Sequence, residues 1–105
     1  MVLDITVEVI EEAVDNGADL ILAHHPLMFS LKNASTEDPI GRKLVRMLGA
    51  GISAICLHTN LDAVAGGVND ALMEVLRITN VGVIEPFGTT KDGSIYGMGR
   101  YGTVN

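Results

Sequence analysis

Residues 20–26, LILAHHP, give the strongest indication of the fold, because four consecutive apolar residues are followed directly by two histidines and a proline. A short, wholly apolar run of this kind is typical of a β-strand that is covered on both faces, as in a parallel sheet. A second such run, Ile52–Leu57, is followed at once by His58 and a little later by Asp62. The two segments predict buried strands that carry polar residues at their carboxyl ends.

Helical patterns lie on both sides of these strands. The apolar spacing predicts helices over about Val7–Asn16 and Ile40–Leu48, and a third helix that begins near Val68. Thr6 has the side chain of a helix N-cap, and Gly17 is a natural C-terminal stop. The third helix is expected to present one apolar face, formed by Val68, Leu72, Val75 and Leu76.

The two ends of the chain add further strands. Residues Val2–Ile5 look like the end of a strand, Val81–Ile84 predicts another, and Lys91–Ser94 is a turn signal between β-like segments. This order predicts an α/β fold with a mainly parallel sheet flanked by helices and a C-terminal antiparallel hairpin. We expect residues 1–105 to form a single α/β domain, the truncated first domain of a longer protein.

Composition narrows the possible partners and the compartment. The net charge of -6 disfavours binding to nucleic acid, whose phosphates an acidic protein repels. The apolar runs are too short to span a bilayer, so no membrane association is expected. Cys56 is the one cysteine of the sequence, which excludes an intrachain disulfide and fits a reducing cytoplasm. We therefore expect a cytoplasmic protein.

The adjacent histidines His24 and His25 are the first candidate site. Neighbouring side chains on a strand point to opposite faces, and Pro26 indicates that the strand ends here. The two imidazoles should then diverge, which suits two metal ions with one histidine each better than two ligands on one ion. A pair of polar residues at the entrance of a loop is the alternative interpretation.

The second candidate site combines His58 and Asp62. Ligands of parallel sheets collect beyond the carboxyl ends of the strands, so both sites would share one rim if the two strands are close neighbours. Imidazole together with carboxylate suits zinc, iron, manganese or nickel. Asp62 is the better ligand because a carboxylate can bridge two ions. His58 is either a ligand or a group that orients its neighbours and serves as a catalytic residue.

Two signatures resemble the Nif-three-like family, whose members are also described as GTP cyclohydrolase type 2 homologues and as dinuclear-metal hexameric proteins. The first signature is the segment 17–29, GADLILAHHPLMF. The second is HTNLDA at residues 58–63 followed by GGVND at residues 66–70. LDIT at residues 3–6 and GMGRYG at residues 97–102 also match in order and position.

The resemblance implies a set of site residues and an assembly. His24 would bind one divalent metal ion, and His25 and Asp62 would bind the other, with zinc, iron or manganese as the metal. The family's remaining ligands come from a His-x-x-x-Glu motif near the far end of a longer chain, and this sequence has no histidine after His58. The resemblance therefore implies an incomplete two-metal site. It also implies a homohexamer in the full-length proteins.

Two classes of function follow from these residues. The first is a metal-dependent hydrolase of an unknown small-molecule substrate, in which His58 serves as a proton shuttle. The second is a non-enzymatic role in metal binding, metal delivery or protein interaction. The sequence contains no purine-reading residues that would support a cyclohydrolase, so the metal and the substrate stay open.

Overall fold

The computed structural model describes residues 1–104. The chain divides into two compact units, Met1–His58 and Thr59–Asn105, and each unit is described by itself. The four elements of the first unit are α1 (Val7–Asp15), β1 (Leu20–Ala23), α2 (Pro39–Gly49) and β2 (Ser53–Cys56). The four elements of the second unit are α3 (Thr59–Ala63), α4 (Val68–Val75), β3 (Thr79–Thr89) and β4 (Ile95–Thr103).

The sheet of the first unit is parallel, as predicted. Strand β1 pairs with β2 in a register that runs from Leu20 opposite Ser53 to Ala23 opposite Cys56. On the other side of β1, the predicted strand at Val2–Ile5 is reduced to one isolated parallel bridge between Val2 and Ala23. The N-terminal segment nevertheless adds a third line of backbone hydrogen bonds beside β1.

Local chemistry sets the ends of the helices in this unit. The Thr6 hydroxyl accepts a hydrogen bond from the Val9 backbone N–H at 3.2 Å and caps α1, as predicted. Gly17 follows the helix with a φ of 63°, a conformation that glycine adopts without strain. The carboxylate of Asp38 caps α2 by accepting from the N–H groups of Ile40 and Gly41.

The core of the first unit lies between its helices and one face of β1. Six buried apolar side chains form this core: Ile5, Ile10, Ile21, Ala23, Met47 and Ile52. The prediction that Ile52–Leu57 is a buried strand is wrong for β2, where Ile55 is 49% exposed. The physical reason is that strand side chains project above and below the sheet, so their burial depends on what packs against its faces, which an apolar run does not show.

The second unit is built on a long antiparallel hairpin. Strands β3 and β4 pair from Thr79 opposite Thr103 to Thr89 opposite Ile95, with register shifts that mark β-bulges. The predicted turn is confirmed, and Gly93 adopts a φ of 89° within it. The hairpin extends well beyond the predicted strand at Val81–Ile84, because each strand uses the other as a hydrogen-bonding partner.

Helix α4 forms as predicted, but its apolar face is not buried in the described residues. Gly67 precedes the helix as its N-cap residue. The exposed fractions of Val68, Leu72, Val75 and Leu76 range from 44% to 77%. The 3.6-residue spacing of apolar residues therefore predicted the helix correctly. Whether its apolar face is buried depends on what packs against it.

The fold class is mixed α/β, and one part of the prediction needs correction. The predicted sheet was mainly parallel, whereas the parallel pairing comprises two strands of 4 residues each. The antiparallel hairpin is the larger sheet, with strands of 11 and 9 residues. Within residues 1–104, no helix combines the length and the apolar character needed to cross a membrane.

Candidate metal centre

His24 and His25 lie where β1 ends, and the backbone of both residues is fixed by the N-terminal segment. The His24 N–H donates to the Val2 carbonyl at 3.1 Å, and the His25 N–H donates to the Leu3 carbonyl at 2.9 Å. The chain has therefore not yet turned away from the sheet at these two positions. The two imidazole rings are tilted by 50° to each other, with centroids 5.0 Å apart.

Both rings are oriented through Nδ1 by an oxygen acceptor. His24 Nδ1 lies 2.9 Å from the Leu57 carbonyl oxygen, and His25 Nδ1 lies 2.7 Å from Oδ1 of Asp4. A carbonyl or carboxylate oxygen only accepts, so Nδ1 is the protonated nitrogen in each ring. When such a ring is uncharged, the lone pair is on Nε2. Proteins orient metal-binding histidines by this arrangement.

His58 completes a cluster of three imidazoles in the first unit. Its ring centroid lies 5.5 Å from that of His24 and 6.1 Å from that of His25. The Phe29 ring meets His58 edge-on at 5.9 Å. The ends of β1 and β2 thus bring together the three histidines that the sequence placed at two separate points.

Asp62, the fourth predicted site residue, lies in the second unit on the short helix α3. Its backbone carbonyl accepts a hydrogen bond from the side-chain amide of Asn69 at 2.9 Å. The convergence of Asp62 with the histidines stays a prediction.

The donor chemistry fits a metal ion, but the donor count is incomplete. Two imidazoles with a set tautomer are suitable ligands for divalent zinc, iron or manganese. Among residues 1–104, no three histidine, cysteine, aspartate or glutamate side chains are arranged around a common point that could hold an ion. This chain therefore offers part of a ligand set.

Two residues near these sites were not singled out as functional by the sequence analysis. Asp4 orients His25 from a position 21 residues away, and Arg100 is paired with Asp70 across 30 residues. Both residues fall inside the short matches LDIT and GMGR, which were the signals that could have identified them. Their partners could not be read from spacing, because each contact joins distant parts of the chain.

Arg100 is the buried charged residue of the second unit. Its guanidinium forms a two-point ion pair with Asp70, and it also donates to the carbonyls of Gly97 at 2.8 Å and Gly99 at 3.0 Å. The hydrogen bond from Arg100 lowers the pKa of Asp70 below its usual value, and the Gly66 N–H lowers that pKa further. Asp70 is therefore held in its charged form by groups that exist together only in the folded chain.

This pKa shift predicts how acid affects the second unit. Because folding lowers the pKa of Asp70, its stabilising contribution is present above the unfolded pKa of about 3.8 and is lost as the pH falls through the lower, folded value. We expect the difference in urea midpoint between the wild type and Asp70→Asn to be large at neutral pH. The difference should shrink as the pH falls below about 3.8, where the Asp70 carboxylate becomes protonated. A difference that is constant with pH would contradict the prediction.

A cavity of about 620 Å³ lies in the second unit beside α3. Its lining is mostly apolar and consists of Thr59, Asn60, Ala63, Val64, Phe87, Tyr96 and Met98. A volume of this size matches that of small-molecule sites in proteins. Helix α3, which carries Asp62, thus forms one wall of a space that can accept a ligand.

These features place the chain in the class of mixed α/β proteins in which histidine side chains lie together at the carboxyl ends of neighbouring parallel strands. The profile of the Duf34/NIF3 (NGG1p interacting factor 3) family matches residues 1–105. The chain belongs to this family, which confirms the resemblance inferred from the two signatures.

Curated relatives and solved structures agree with this membership. The chain is 46% identical over 85 residues to the GTP cyclohydrolase 1 type 2 homolog of Bacillus subtilis, covering 80% of this chain and 23% of that protein. A relative of the same name from Clostridium perfringens is also 46% identical, with 80% of this chain and 32% of that protein covered. The chain thus spans about a quarter to a third of the length of these relatives.

Two solved structures share the fold. The Bacillus cereus protein related to NIF3 matches with a TM-score of 0.77 and 41% identity, covering 83% of this chain and 24% of that one. Reduced HcgD from Methanocaldococcus jannaschii matches with a TM-score of 0.70 and 31% identity, covering 88% of this chain and 35% of that one.

Proposed function

We propose that this chain supplies His24, His25 and Asp62 as ligands of a dinuclear metal site in a metal-dependent hydrolase. The observation that carries the proposal is the pair of Nδ1 hydrogen bonds, to the Leu57 carbonyl and to Asp4. A histidine in a polar loop does not need both its ring orientation and its tautomer to be set. A histidine that binds a metal ion through Nε2 needs both.

The roles of the remaining residues follow from their positions. A divalent ion bound at this site would polarise a substrate group and lower the pKa of a bound water to about 7. Asp4 and the Leu57 carbonyl hold the two imidazoles in place. His58 lies beside both rings without being assigned a ligand role, and we propose that it accepts or donates the proton of the reaction.

The substrate class stays open within this proposal. The relatives carry the name GTP cyclohydrolase 1 type 2 homolog, but the sequence of this chain contains no purine-reading motif that would support this activity. The mostly apolar cavity beside α3 suits a small molecule with an apolar or aromatic portion. A phosphate ester or a nucleotide-like compound is compatible with a dinuclear site.

Zinc titration of a full-length family protein that contains this chain tests the metal proposal. In isothermal titration calorimetry, we expect His25→Ala to abolish binding of the Zn²⁺ ion that His25 would share with Asp62, because it removes a ligand of that ion. Asp4→Ala should weaken binding by about tenfold, since it removes only the acceptor that orients that ligand. Both variants should retain the far-ultraviolet circular dichroism of the wild type, because both side chains are largely exposed.

Cys56→Ala serves as the matched control for this experiment. It removes a free thiol at the end of β2 that is not one of the proposed ligands, so Zn²⁺ binding should not change. If the control abolishes binding and His25→Ala does not, the ligands have been assigned wrongly. Zinc binding that survives in His24→Ala, His25→Ala and Asp62→Ala alike would exclude the proposed site.

A non-enzymatic role is the second candidate, and the exposed apolar face of α4 favours it. Large exposed apolar surfaces are typical of protein interaction sites. Under either candidate, we propose that the full-length protein assembles as a homohexamer, as the family resemblance implies. We also propose a cytoplasmic location, which the single cysteine fits. Turnover separates the two candidates: hydrolysis that depends on His58 in the metal-loaded protein supports the enzyme, and inactivity across esters and nucleotides supports the binding role.

A further inference from the structure

Helix α3, which carries Asp62, is too short to hold its own shape. It spans 5 residues, Thr59–Ala63, and isolated helices of such length are unstable in water. The last carbonyl groups of any helix also lack partners within the helix. The position of Asp62 therefore depends on groups outside α3 that bind these carbonyls.

Two side chains from the second unit supply this support. The Asn69 amide donates to the carbonyl oxygen of Asp62 at 2.9 Å. Arg100 Nη2 approaches the carbonyl oxygen of Val64 at 3.4 Å, one residue beyond the helix. The turn that contains Asp62 is thus attached to the start of α4 and to β4.

Arg100 is itself held rigidly. Its side chain is 2% exposed, and it is paired with Asp70, which in turn accepts a hydrogen bond from the Gly66 N–H at 2.7 Å. A continuous series of contacts therefore runs from Arg100 in the hairpin through Asp70 to Gly66 in the loop between α3 and α4. A rigid frame of this kind can fix the backbone of a neighbouring residue to a fraction of an ångström.

We propose that Asn69 and Arg100 are positioning residues that hold Asp62 in the orientation required for metal binding. The inference rests on the proposed function, because it assumes that Asp62 is a ligand. It assigns a purpose to the segments GGVND and GMGR, which carry no metal-binding side chain of their own in the proposed site. Neither Asn69 nor Arg100 would touch the ion.

Asn69→Ala is the sharpest test, because it removes one hydrogen bond to the backbone of Asp62 and no charge. We expect Zn²⁺ binding to weaken by about tenfold, the lower end of the effect of losing a group that orients a ligand. The visible spectrum of bound Co²⁺ should change, because the carboxylate of Asp62 would reach the ion differently. The backbone amides of Val64, Gly66 and Gly67 should exchange faster with deuterium. Asn69→Gln, which keeps an amide donor, should partly restore all three properties.

Asn16→Ala is the matched control. Asn16 donates its side-chain amide to the carbonyl of Glu12 at the end of α1, at 2.8 Å, and so makes the same kind of bond in the other unit. It should leave Zn²⁺ binding and the Co²⁺ spectrum unchanged. If it weakens binding as much as Asn69→Ala does, general destabilisation explains both results and the inference is overturned.

A double variant tests Arg100 without leaving a buried charge unpaired. Arg100→Met with Asp70→Asn removes both charges and keeps similar side-chain volumes, so the variant is expected to fold. It should weaken Zn²⁺ binding and change the Co²⁺ spectrum in the same way as Asn69→Ala. A folded double variant with wild-type binding would overturn the role of Arg100.

The outcomes also separate this inference from the proposed function. If Asp62→Ala weakens Zn²⁺ binding but Asn69→Ala and the double variant do not, Asp62 is a ligand and the positioning inference fails alone. If His25→Ala and Asp62→Ala both leave binding unchanged, the proposed metal site fails and the positioning role fails with it. Amide exchange at Val64 that is unaffected by Asn69→Ala would overturn the inference without any metal present.

Discussion

Replacing Arg100 by alanine is expected to lower the free energy of unfolding by about 3 kcal/mol, a typical cost of leaving a buried charge without its partner. The arginine side chain is 2% exposed, whereas Asp70 is 30% exposed and can regain some water. This residual exposure places the effect at the lower end of the usual range. The carbonyls of Gly97 and Gly99 lose their donor as well. Urea unfolding followed by circular dichroism measures the loss.

Arg46→Ala provides the comparison, because Arg46 also makes a two-point ion pair. It contacts Glu11 at 2.7 and 2.6 Å, but the two side chains are 40% and 46% exposed. Water screens a pair of this kind, so its removal should change the urea midpoint far less. Equal losses in the two variants would mean that burial does not govern the contribution of Arg100.

The elements that sequence predicted best are those set by local chemistry. The bounds of β1 are those predicted, Leu20–Ala23, because an apolar run followed by a proline leaves little choice of register or length. The cap at Thr6 and the turn around Gly93 were also predicted, since each depends on the residue itself and on neighbours within four positions. The conformational preferences of single residues are enough to predict a cap or a turn when the contacts that stabilise it join residues close in the sequence.

The errors concern burial and very short elements. The apolar spacing of α4 predicted the helix correctly, but local sequence does not show whether another element packs against Leu72 and Val75 and buries them. Similarly, Ile55 was predicted to be a core residue and is 49% exposed, because an apolar run does not show whether another element packs on that face of the strand. Helix α3 was not predicted, because a five-residue helix has no measurable periodicity and depends on bonds from Asn69 and Arg100.

The geometry of the candidate site was only partly predictable from the sequence. The rule that parallel strands present their carboxyl ends at one edge correctly anticipated that His24 and His58 would lie close together. The acceptor that orients His25 was not foreseen, since Asp4 precedes it by 21 residues and lies in a segment read as a plain strand. The assignment of Asp62 to the same site stays a prediction.

Gly67→Ala is expected to destabilise the protein by about 3 kcal/mol, the upper end of the cost of overpacking. A Cβ atom at this position would overlap the carbonyl oxygen of Leu61 and would lie 2.9 Å from the carbonyl oxygen of Val64. Both obstacles are backbone atoms, which cannot rotate away as a side chain can. The backbone of Gly67 itself is not strained, with a φ of -81°, so the requirement for glycine is one of space. Urea unfolding measures the effect.

Gly49→Ala is the matched replacement for this experiment. A Cβ at Gly49 would meet nothing within 4 Å, and the residue lies at the end of α2, so alanine should be neutral or slightly stabilising there. Both variants make the same chemical change, and only Gly67 has a backbone carbonyl in the way. Since that carbonyl belongs to the residue before Asp62, Gly67→Ala should also weaken Zn²⁺ binding in whatever fraction remains folded. A stable Gly67→Ala protein with wild-type binding would mean that α3 moves freely, and that Asp62 is not held in place by its surroundings.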